Sequence, residues 1–159
     1  MTQTQGLVCG LVSADLVKKI VGSHAIGTRG IGITPAAERA VEPANCTVQD
    51  ADTSTTVLQV SIGEVSDVTH WRTQLAHEAA SKGTNCVHYT SSPGIGYGCT
   101  YDSGVFVDGA GVNVVKGDRL IRVTVSHWSD VTPDDRLTLA EQIVTDVDKN
   151  VSAYDKSHP

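Results

Sequence analysis

The residues of this chain with the most definite chemistry are its four cysteines, Cys9, Cys46, Cys86 and Cys99. An even number of cysteines permits three pairings into two disulfides. No Cys-x-x-Cys occurs, so the spacing fits neither a zinc ribbon nor a redox motif. Two alternatives stay open beside disulfides. Cys86 and His88 share a face if their segment is a strand, as metal ligands would, and four unpaired thiols would fit a cytoplasmic protein.

Two disulfides are the preferred interpretation. Cys86 and Cys99 flank a segment rich in glycine and serine, residues 91–98, which allows the chain to reverse between them. Neighbouring antiparallel strands place opposed Cα atoms about 4.5–5.5 Å apart, within the range that a disulfide requires. Cys9 and Cys46 are then the second pair, which would tether the N-terminal segment to the sheet. This pairing favours an oxidising compartment.

The segment 93–98, Pro-Gly-Ile-Gly-Tyr-Gly, superficially resembles a phosphate-binding glycine loop. Such a loop needs a helix N-terminus after it, because the amides at the helix end hold the phosphate. Cys-Thr-Tyr follows here, which is a strand pattern, and no Gly-Lys-Ser/Thr occurs. Turn formation is therefore the preferred explanation of these glycines.

Polar side chains also line one face of a predicted helix, where His70, Gln74 and His77 lie with Glu78 beside them. Two histidines seven residues apart are separated by about 10 Å along a helix, which is too far to share one metal ion. No His-Glu-x-x-His motif occurs. We expect a solvated polar face.

The remaining candidates for catalysis are equally unspecific. No Gly-x-Ser-x-Gly motif marks a nucleophile. Asp134 and Asp135 have a helix-capping role, and Asp146 and Asp148 are expected on a helix surface. The pair at 127–128, His-Trp, would form a binding edge at a strand end, although Trp at such positions is more often a core anchor. We predict no catalytic, cofactor-binding or metal-binding residue, and no cofactor.

The composition limits the classes of partner. Of the 159 residues 40% are hydrophobic and 19% are charged, and the formal net charge is −6. An acidic chain is a poor partner for nucleic acid or an anionic membrane, because either usually needs a dense Lys/Arg surface. No apolar run is long enough for a membrane-spanning helix. The polar start, Met-Thr-Gln-Thr-Gln-Gly, lacks the pattern of a signal peptide, so the chain is either cytoplasmic or a mature extracytoplasmic domain.

Periodicity predicts three helices and several short strands. A helix over 11–21 has Ser13 as its N-cap and Gly22 as its stop, and a helix to about residue 82 begins at Ser66 or Asp67. The last helix has the clearest start, with Thr132 as N-cap followed by proline. Residues 22–45 are expected to be irregular, with at most one edge strand. The predicted strands span 46–49, 55–62, 86–90, 97–101, 105–108, 112–116 and 120–128.

These elements predict one α+β domain, a single twisted antiparallel sheet with the helices 67–82 and 132–151 packed on one face. The chain is divided into a disordered tail or remnant at 1–8, a globular domain at 9–153 and a polar tail at 154–159. The second face of the sheet is expected to be exposed to solvent. Its predicted side chains alternate with aliphatic residues and are Gln59, Ser61, Arg122 and Thr124.

The layout resembles a known family. Cys9 opens the sequence Cys-Gly-Leu-Val-Ser-Ala-Asp-Leu-Val-Lys-Lys-Ile-Val-Gly, and Cys46 follows at the start of a strand. A Trp-bearing helix, a cysteine pair around a glycine-rich return, a hairpin and an amphipathic helix come next. This order resembles the small secreted lipoproteins of unknown function of actinobacteria, the mycobacterial LpqN-type lipoproteins and the extracellular sensor domain of mycobacterial Ser/Thr kinases.

The resemblance implies a PsbP-like sandwich and a protein that is secreted or anchored to the cell membrane as a lipoprotein. The lipid-bearing cysteine would lie upstream of the residues here, because Gly-Leu-Val before Cys9 is a poor lipidation signal. The resemblance implies no catalytic residues.

Three functions follow as hypotheses. The first is a non-enzymatic cell-envelope domain that binds a ligand or a partner protein. The second is a carrier of a small molecule or lipid with a pocket between sheet and helices, which an apolar lining would favour. The third is a hydrolase with a loop-built site, which a His and an Asp within hydrogen-bond reach would favour. The expected partners are an envelope protein or a lipid-like ligand.

Overall fold

The structure is a computed structural model, and it describes residues 7–22, 24–29, 44–82, 84–101, 109–126 and 131–157. Nine strands and three helices lie in these ranges. The strands are β1 (Leu7–Val8), β2 (Val12–Ser13), β3 (Ile26–Arg29), β4 (Ala44–Asp50), β5 (Thr56–Glu64), β6 (Thr84–Tyr89), β7 (Ile95–Tyr101), β8 (Gly109–Lys116) and β9 (Arg119–Ser126). The helices are α1 (Ala14–Val21), α2 (Val68–Lys82) and α3 (Pro133–Ser157).

Seven of the strands form one antiparallel sheet in the order β3-β4-β5-β9-β8-β7-β6. The sheet consists of two meanders, β3-β4-β5 and β6-β7-β8-β9, which join where β5 pairs with β9. Helix α2 connects the first meander to the far edge of the second. The predicted α+β fold with an antiparallel sheet and packed helices is therefore confirmed.

The main core lies between the sheet and helices α1 and α3. Successive side chains of a strand point to opposite faces, and alternate aliphatic residues of the central strands face this core. Val123 of β9 is fully buried there together with Ile143 and Val147 of α3. Val17 and Ile20 of α1 belong to the same cluster. We call this side of the sheet the α3 face.

Helix α2 lies on the opposite side of the sheet, which we call the α2 face. A separate apolar cluster joins Leu75 of α2 to Val115 and Leu120, with Trp71 and Tyr97 packed against it. The prediction that both long helices cover one face is wrong in this respect. The reason is that β8 and β9 carry apolar side chains on both faces at one end of the sheet, so each face needs a helix there.

The N-terminal segment is fastened to α3 by hydrogen bonds. Ser13 occupies the N-cap position of α1 without capping it through its side chain. Its Oγ instead donates to Asp146 Oδ1 over 2.6 Å, and its backbone N–H donates to Oδ2 over 2.8 Å. Asn150 Nδ2 donates to the carbonyl of Leu11 over 2.8 Å. Asp146, expected on a helix surface, therefore holds the residue that precedes α1.

Regular structure extends into both of the segments that were predicted as tails. Leu7–Val8 already pairs with Val12–Ser13 as a two-stranded sheet. Helix α3 continues to Ser157, four residues beyond the predicted domain end at residue 153. No helix in the described ranges has the length and apolar character needed to cross a membrane.

One disulfide links the N-terminal segment to β4, and the other links the consecutive strands β6 and β7. Cys9 is bonded to Cys46 of β4, with their Cα atoms 5.9 Å apart. Cys86 of β6 is bonded to Cys99 of β7, with their Cα atoms 4.2 Å apart. These are the two pairs favoured by the sequence, and they leave no free thiol. Cys86 is therefore not available to bind a metal ion together with His88.

Candidate ligand-binding groove

A cavity of about 380 Å³ lies on the α2 face, between the sheet and helix α2. This volume falls within the range of about 300–1,000 Å³ that is usual for small-molecule sites. We call it the polar groove, because its lining is made mainly of amide, hydroxyl and charged side chains. These are Asn45, Thr47, Gln59, Ser61, Glu78, Tyr101, Asn113, Arg122 and Thr124.

The register of the sheet brings these side chains together. Ser61 of β5 is opposite both Asn45 of β4 and Arg122 of β9, and Arg122 is opposite Asn113 of β8. Directly opposed residues on antiparallel strands have neighbouring side chains on one face. These four residues therefore form one continuous row across the sheet.

A second row lies beside the first. Gln59 is opposite both Thr47 and Thr124, and Thr124 is opposite Gly111. Because Gly111 has no side chain, the row is open at this point, and a Cβ there would approach the Tyr101 ring at 2.9 Å. The bare backbone thus leaves room for the phenol at the end of the groove.

Arg122 connects the sheet to helix α2. Its Nη1 lies 3.1 Å from Glu78 Oε2 and its Nη2 lies 3.4 Å from Oε1, so the pair is bidentate. Nη1 also donates to Asn113 Oδ1 over 3.4 Å. The guanidinium carbon is 5.6 Å from the Trp71 ring centroid, within the range of a cation–π contact. Three neighbours thus fix this cation at the wall of the groove.

Tyr101 supplies a neutral phenol. Burial raises the pKa of Tyr101, and the negative charge of Glu78 raises it further, against the opposing effects of Asn113 and Arg122. Asn113 Nδ2 donates to the phenol oxygen over 3.5 Å. In this hydrogen bond the phenol oxygen is the acceptor, so the O–H of Tyr101 remains able to donate to a ligand.

The electrostatics of the polar groove favour an uncharged ligand. Among the lining residues that the structure describes, Arg122 and Glu78 are the formally charged ones, and each neutralises the other. The amides offer both donors and acceptors, and the hydroxyls can act as either. A neutral molecule with several hydroxyl or amide groups would match this lining, whereas a hydrocarbon chain would leave it unsatisfied.

Sequence patterning located part of this site. Gln59, Ser61, Arg122 and Thr124 were predicted on a wet face, and all four line the polar groove. Glu78 was expected on a solvated helix face, yet its side chain is only 23% exposed because it turns toward Arg122.

Tyr101 and Asn113 were missed as functional residues. Their inclusion depends on the register between β7, β8 and β9. The signal in the sequence was the polar Asn113 among the valines of β8, at the alternation that places it beside Arg122.

The histidines of α2 form no site in the structure. His70 stacks edge-on against the neighbouring Trp71 with a centroid distance of 5.6 Å. In the described ranges no three His, Cys, Asp or Glu side chains lie close enough to hold a metal ion.

Among the described residues, one His–Asp pair lies within hydrogen-bond reach, the arrangement that would favour a hydrolase. His24 Nδ1 is 2.8 Å from Asp50 Oδ2 at the β3–β4 edge. The other oxygen of Asp50 accepts from the N–H groups of Asp52 and Thr53, so this carboxylate shapes the turn that follows β4. The pair lies outside the polar groove, and its contacts connect the segment before β3 to the turn after β4.

Gly96 and Gly98 have a packing role, which corrects the expectation that turn formation explains them, whereas Gly94 lies in the connection before β7. Gly96 and Gly98 both lie inside β7, and this strand continues to Tyr101, as the sequence predicted for the residues after Gly98. A Cβ on Gly98 would collide with Tyr89, whose phenol hydroxyl donates to Glu141 of α3. Gly98 therefore makes room for a contact that ties β6 to α3.

The aspartate that was predicted to cap the last helix lies at the start of α3. Asp135 accepts a hydrogen bond from the Thr132 hydroxyl over 2.9 Å, which fits its capping role. The pair 127–128 and the predicted strand 105–108 lie outside the described residues.

The chain matches no protein-family model, no curated protein and no solved structure. The fold and the groove define a disulfide-bonded α+β domain with a polar cavity on one sheet face. Two disulfides in one domain of this size fit an extracytoplasmic protein.

Proposed function

We propose that this protein is a non-enzymatic, extracytoplasmic binding domain whose ligand is a small neutral molecule held in the polar groove. The observation that carries the proposal is the double row of polar side chains on the α2 face. Five strands and one helix deliver hydrogen-bonding groups to one cavity there, and the two charges among its described lining residues compensate each other. Ligand sites are concave, and their polar groups fix the orientation of the ligand.

The alternative is a carrier for a lipid-like ligand. The position of the polar groove between the sheet and a helix fits that hypothesis, but its lining does not. Burying an amide or hydroxyl against a hydrocarbon chain without a partner costs about 1–3 kcal/mol per group. With nine polar side chains around the cavity, we favour the hydrogen-bonding ligand.

We also propose that the domain is displayed at the cell envelope as a relative of the actinobacterial lipoproteins. The support is the sequence layout from Cys9 to Gly22 together with the two disulfides. Fractionation of the source cells tests this, because an envelope protein is recovered from the membrane or secreted fraction. Recovery in the cytoplasm with four reduced thiols would contradict it.

The binding proposal is tested by a ligand panel read out as a change in melting temperature. The panel contains neutral mono- and disaccharides, amides of amino acids, and fatty-acid micelles. A ligand that binds only the folded protein raises the melting temperature, and we expect such a shift for a member of the first two groups. A shift with the micelles alone would support the carrier.

A matched pair of variants localises the effect. Thr124→Trp places a large side chain in the middle of the polar groove and should abolish the shift. Thr124→Val keeps the size of the side chain and removes only its hydroxyl, so it should weaken binding and leave it detectable. Equal ligand responses in the wild type and in Thr124→Trp would exclude the polar groove as the binding site.

A further inference from the structure

A second cleft lies on the other side of helix α2, away from the polar groove. It has a volume of about 420 Å³ and is bounded by α2 and by strands β6 and β7. The helix contributes Thr69, Arg72, Thr73 and Ala76, whose spacing of three and four residues places them on one helix face. The two strands contribute His88, Ile95, Gly96 and Tyr97.

The strand side of this cleft presents a flat aromatic surface. His88 and Tyr97 are opposed across β6 and β7, and their rings are stacked with centroids 4.6 Å apart and planes 11° apart. Tyr97 is partly buried against the cluster under α2, so it supports the imidazole from one side. His88 belongs to the edge strand and is exposed, which leaves its other side accessible.

The helix side supplies a positive charge. Arg72 is exposed on α2. Its side chain forms no ion pair or hydrogen bond with any residue that the structure describes. In this respect Arg72 differs from Arg122, whose charge is neutralised by Glu78. This cleft therefore combines a guanidinium that has no ion-pair partner among the described residues with a stacked imidazole, in a chain of net charge −6.

We propose that the cleft between α2 and β6–β7 is a second binding site, which takes a small ligand with an oxyanion next to a planar ring. Arg72 holds the oxyanion, since a guanidinium binds carboxylate or phosphate oxygens through paired N–H groups. The ring lies on the free side of the His88 imidazole. Such a ligand is chemically distinct from the neutral molecule assigned to the polar groove, and the two proposals are independent.

The test is an NMR titration of the ¹⁵N-labelled protein with four probes. Phenyl phosphate and benzoate carry the ring, and inorganic phosphate and acetate are their ring-free counterparts. We expect a saturable shift of the amides of residues 72, 88 and 97 with at least one ring-bearing probe. That probe should bind about tenfold more tightly than its ring-free counterpart, because stacking adds to the charge interaction. The better of the two ring-bearing probes identifies the preferred oxyanion.

Three variants separate a built site from a general attraction to positive charge. Arg72→Gln should weaken the ring-bearing probe about tenfold, the loss typical of a charge-assisted hydrogen bond. Lys149→Gln makes the same charge change on the exposed surface of α3 and should leave affinity unchanged. His88→Ala should remove the advantage of the ring.

Several results would overturn the second site. These are the absence of any saturable shift, equal affinities with and without the ring, and equal effects of Arg72→Gln and Lys149→Gln. Thr124→Trp blocks the polar groove and should not affect this titration, so failure of one site is distinguishable from failure of the other.

Discussion

At the scale of single residues, Arg122 has the largest number of distinct roles in the site. It pairs with Glu78 of α2, contacts Asn113 of β8, and lies over the ring of Trp71. Its side chain is 32% exposed and that of Glu78 is 23% exposed, so water still screens the pair in part. The contribution of the ion pair to stability is therefore modest, and its main effect is to define the shape and neutrality of the polar groove.

A double-mutant cycle measures this pair. We expect Arg122→Met and Glu78→Gln to show a coupling energy of roughly 0.5–1 kcal/mol in urea unfolding, as is usual for partly exposed bidentate pairs. A cycle of Arg122→Met with Asp148→Asn, a carboxylate on α3 across the sheet, should give no coupling. Equal coupling in both cycles would mean that long-range charge, and not the contact, is responsible.

Asp50 gives a pH-dependent prediction. The N–H of Asp52 and the ring of His24 hold the pKa of Asp50 below its ordinary value of 3.8. The unfolded chain then binds more protons than the folded one as the pH falls, so this carboxylate stabilises the fold above its unfolded pKa and loses that effect in acid. The stability difference between wild type and Asp50→Asn should be present above about pH 4 and shrink as the pH falls below it.

Urea unfolding of both proteins over that pH range checks this prediction. The difference between wild type and Asp50→Asn isolates Asp50, because the other carboxylates titrate alike in both proteins. A constant difference down to pH 2.5 or so would show that the carboxylate has an ordinary pKa.

At the scale of elements, local patterns predicted most of the secondary structure. The start of α3 follows from Thr132 and the proline after it, and the alternation in β9 follows from Ile121, Val123 and Val125. What the sequence did not show was the side of the sheet on which α2 packs. A helix carries an apolar stripe whichever face of the sheet it covers, so the stripe does not identify the face. The apolar residues on the second face of β8 and β9 form a patch only when these strands are in register.

The candidate site was likewise predicted only in part: the polar face of the sheet was predicted, and the contributions of α2 and β7 were not. Polar residues at alternate positions of β5 and β9 indicated a wet face, since each strand shows its own alternation. The wall formed by Glu78 and the phenol of Tyr101 required the placement of α2 and the register of β7. These are tertiary properties, set by contacts between segments far apart in the chain.

Strand β9 offers a direct test of the two faces. Val123 is fully buried on the α3 face, and its neighbour Thr124 lines the polar groove. Val123→Asp buries a carboxylate without a partner and should destabilise the protein by more than about 3 kcal/mol. Thr124→Asp places the same charge one residue away in a solvated cavity and should cost less than about 1 kcal/mol.

Chemical denaturation of the two variants makes the comparison. Similar losses of stability in both would contradict the assignment of the two faces. Failure of Val123→Asp to fold, together with a folded Thr124→Asp, agrees with it.

At the scale of the whole molecule, the two disulfides close loops of different size. Cys9 and Cys46 are 37 residues apart, and Cys86 and Cys99 are 13 apart. In the chain-entropy model these loops stabilise the fold by about 4 and about 3 kcal/mol. The variant Cys9→Ser/Cys46→Ser should therefore lose more stability than Cys86→Ser/Cys99→Ser, and reduction of the wild type should lower its melting temperature.

Calorimetry of the oxidised, reduced and variant proteins measures these losses, and peptide mapping without reductant checks the pairing. Recovery of Cys9 joined to Cys86 or Cys99 would contradict the fold. Four thiols that react with an alkylating reagent in the native protein would contradict the extracytoplasmic location as well.

Native mass spectrometry tests most directly whether the polar groove binds a small neutral molecule. Wild type, Thr124→Trp and Thr138→Trp are each incubated with the water-soluble small molecules extracted from the envelope of the source cells. Thr138 is exposed on α3, so its variant adds the same large side chain on the other side of the sheet. We predict a bound molecule on the wild type and on Thr138→Trp, and none on Thr124→Trp; no bound molecule on any of the three, or the same molecule on all three, would contradict the claim.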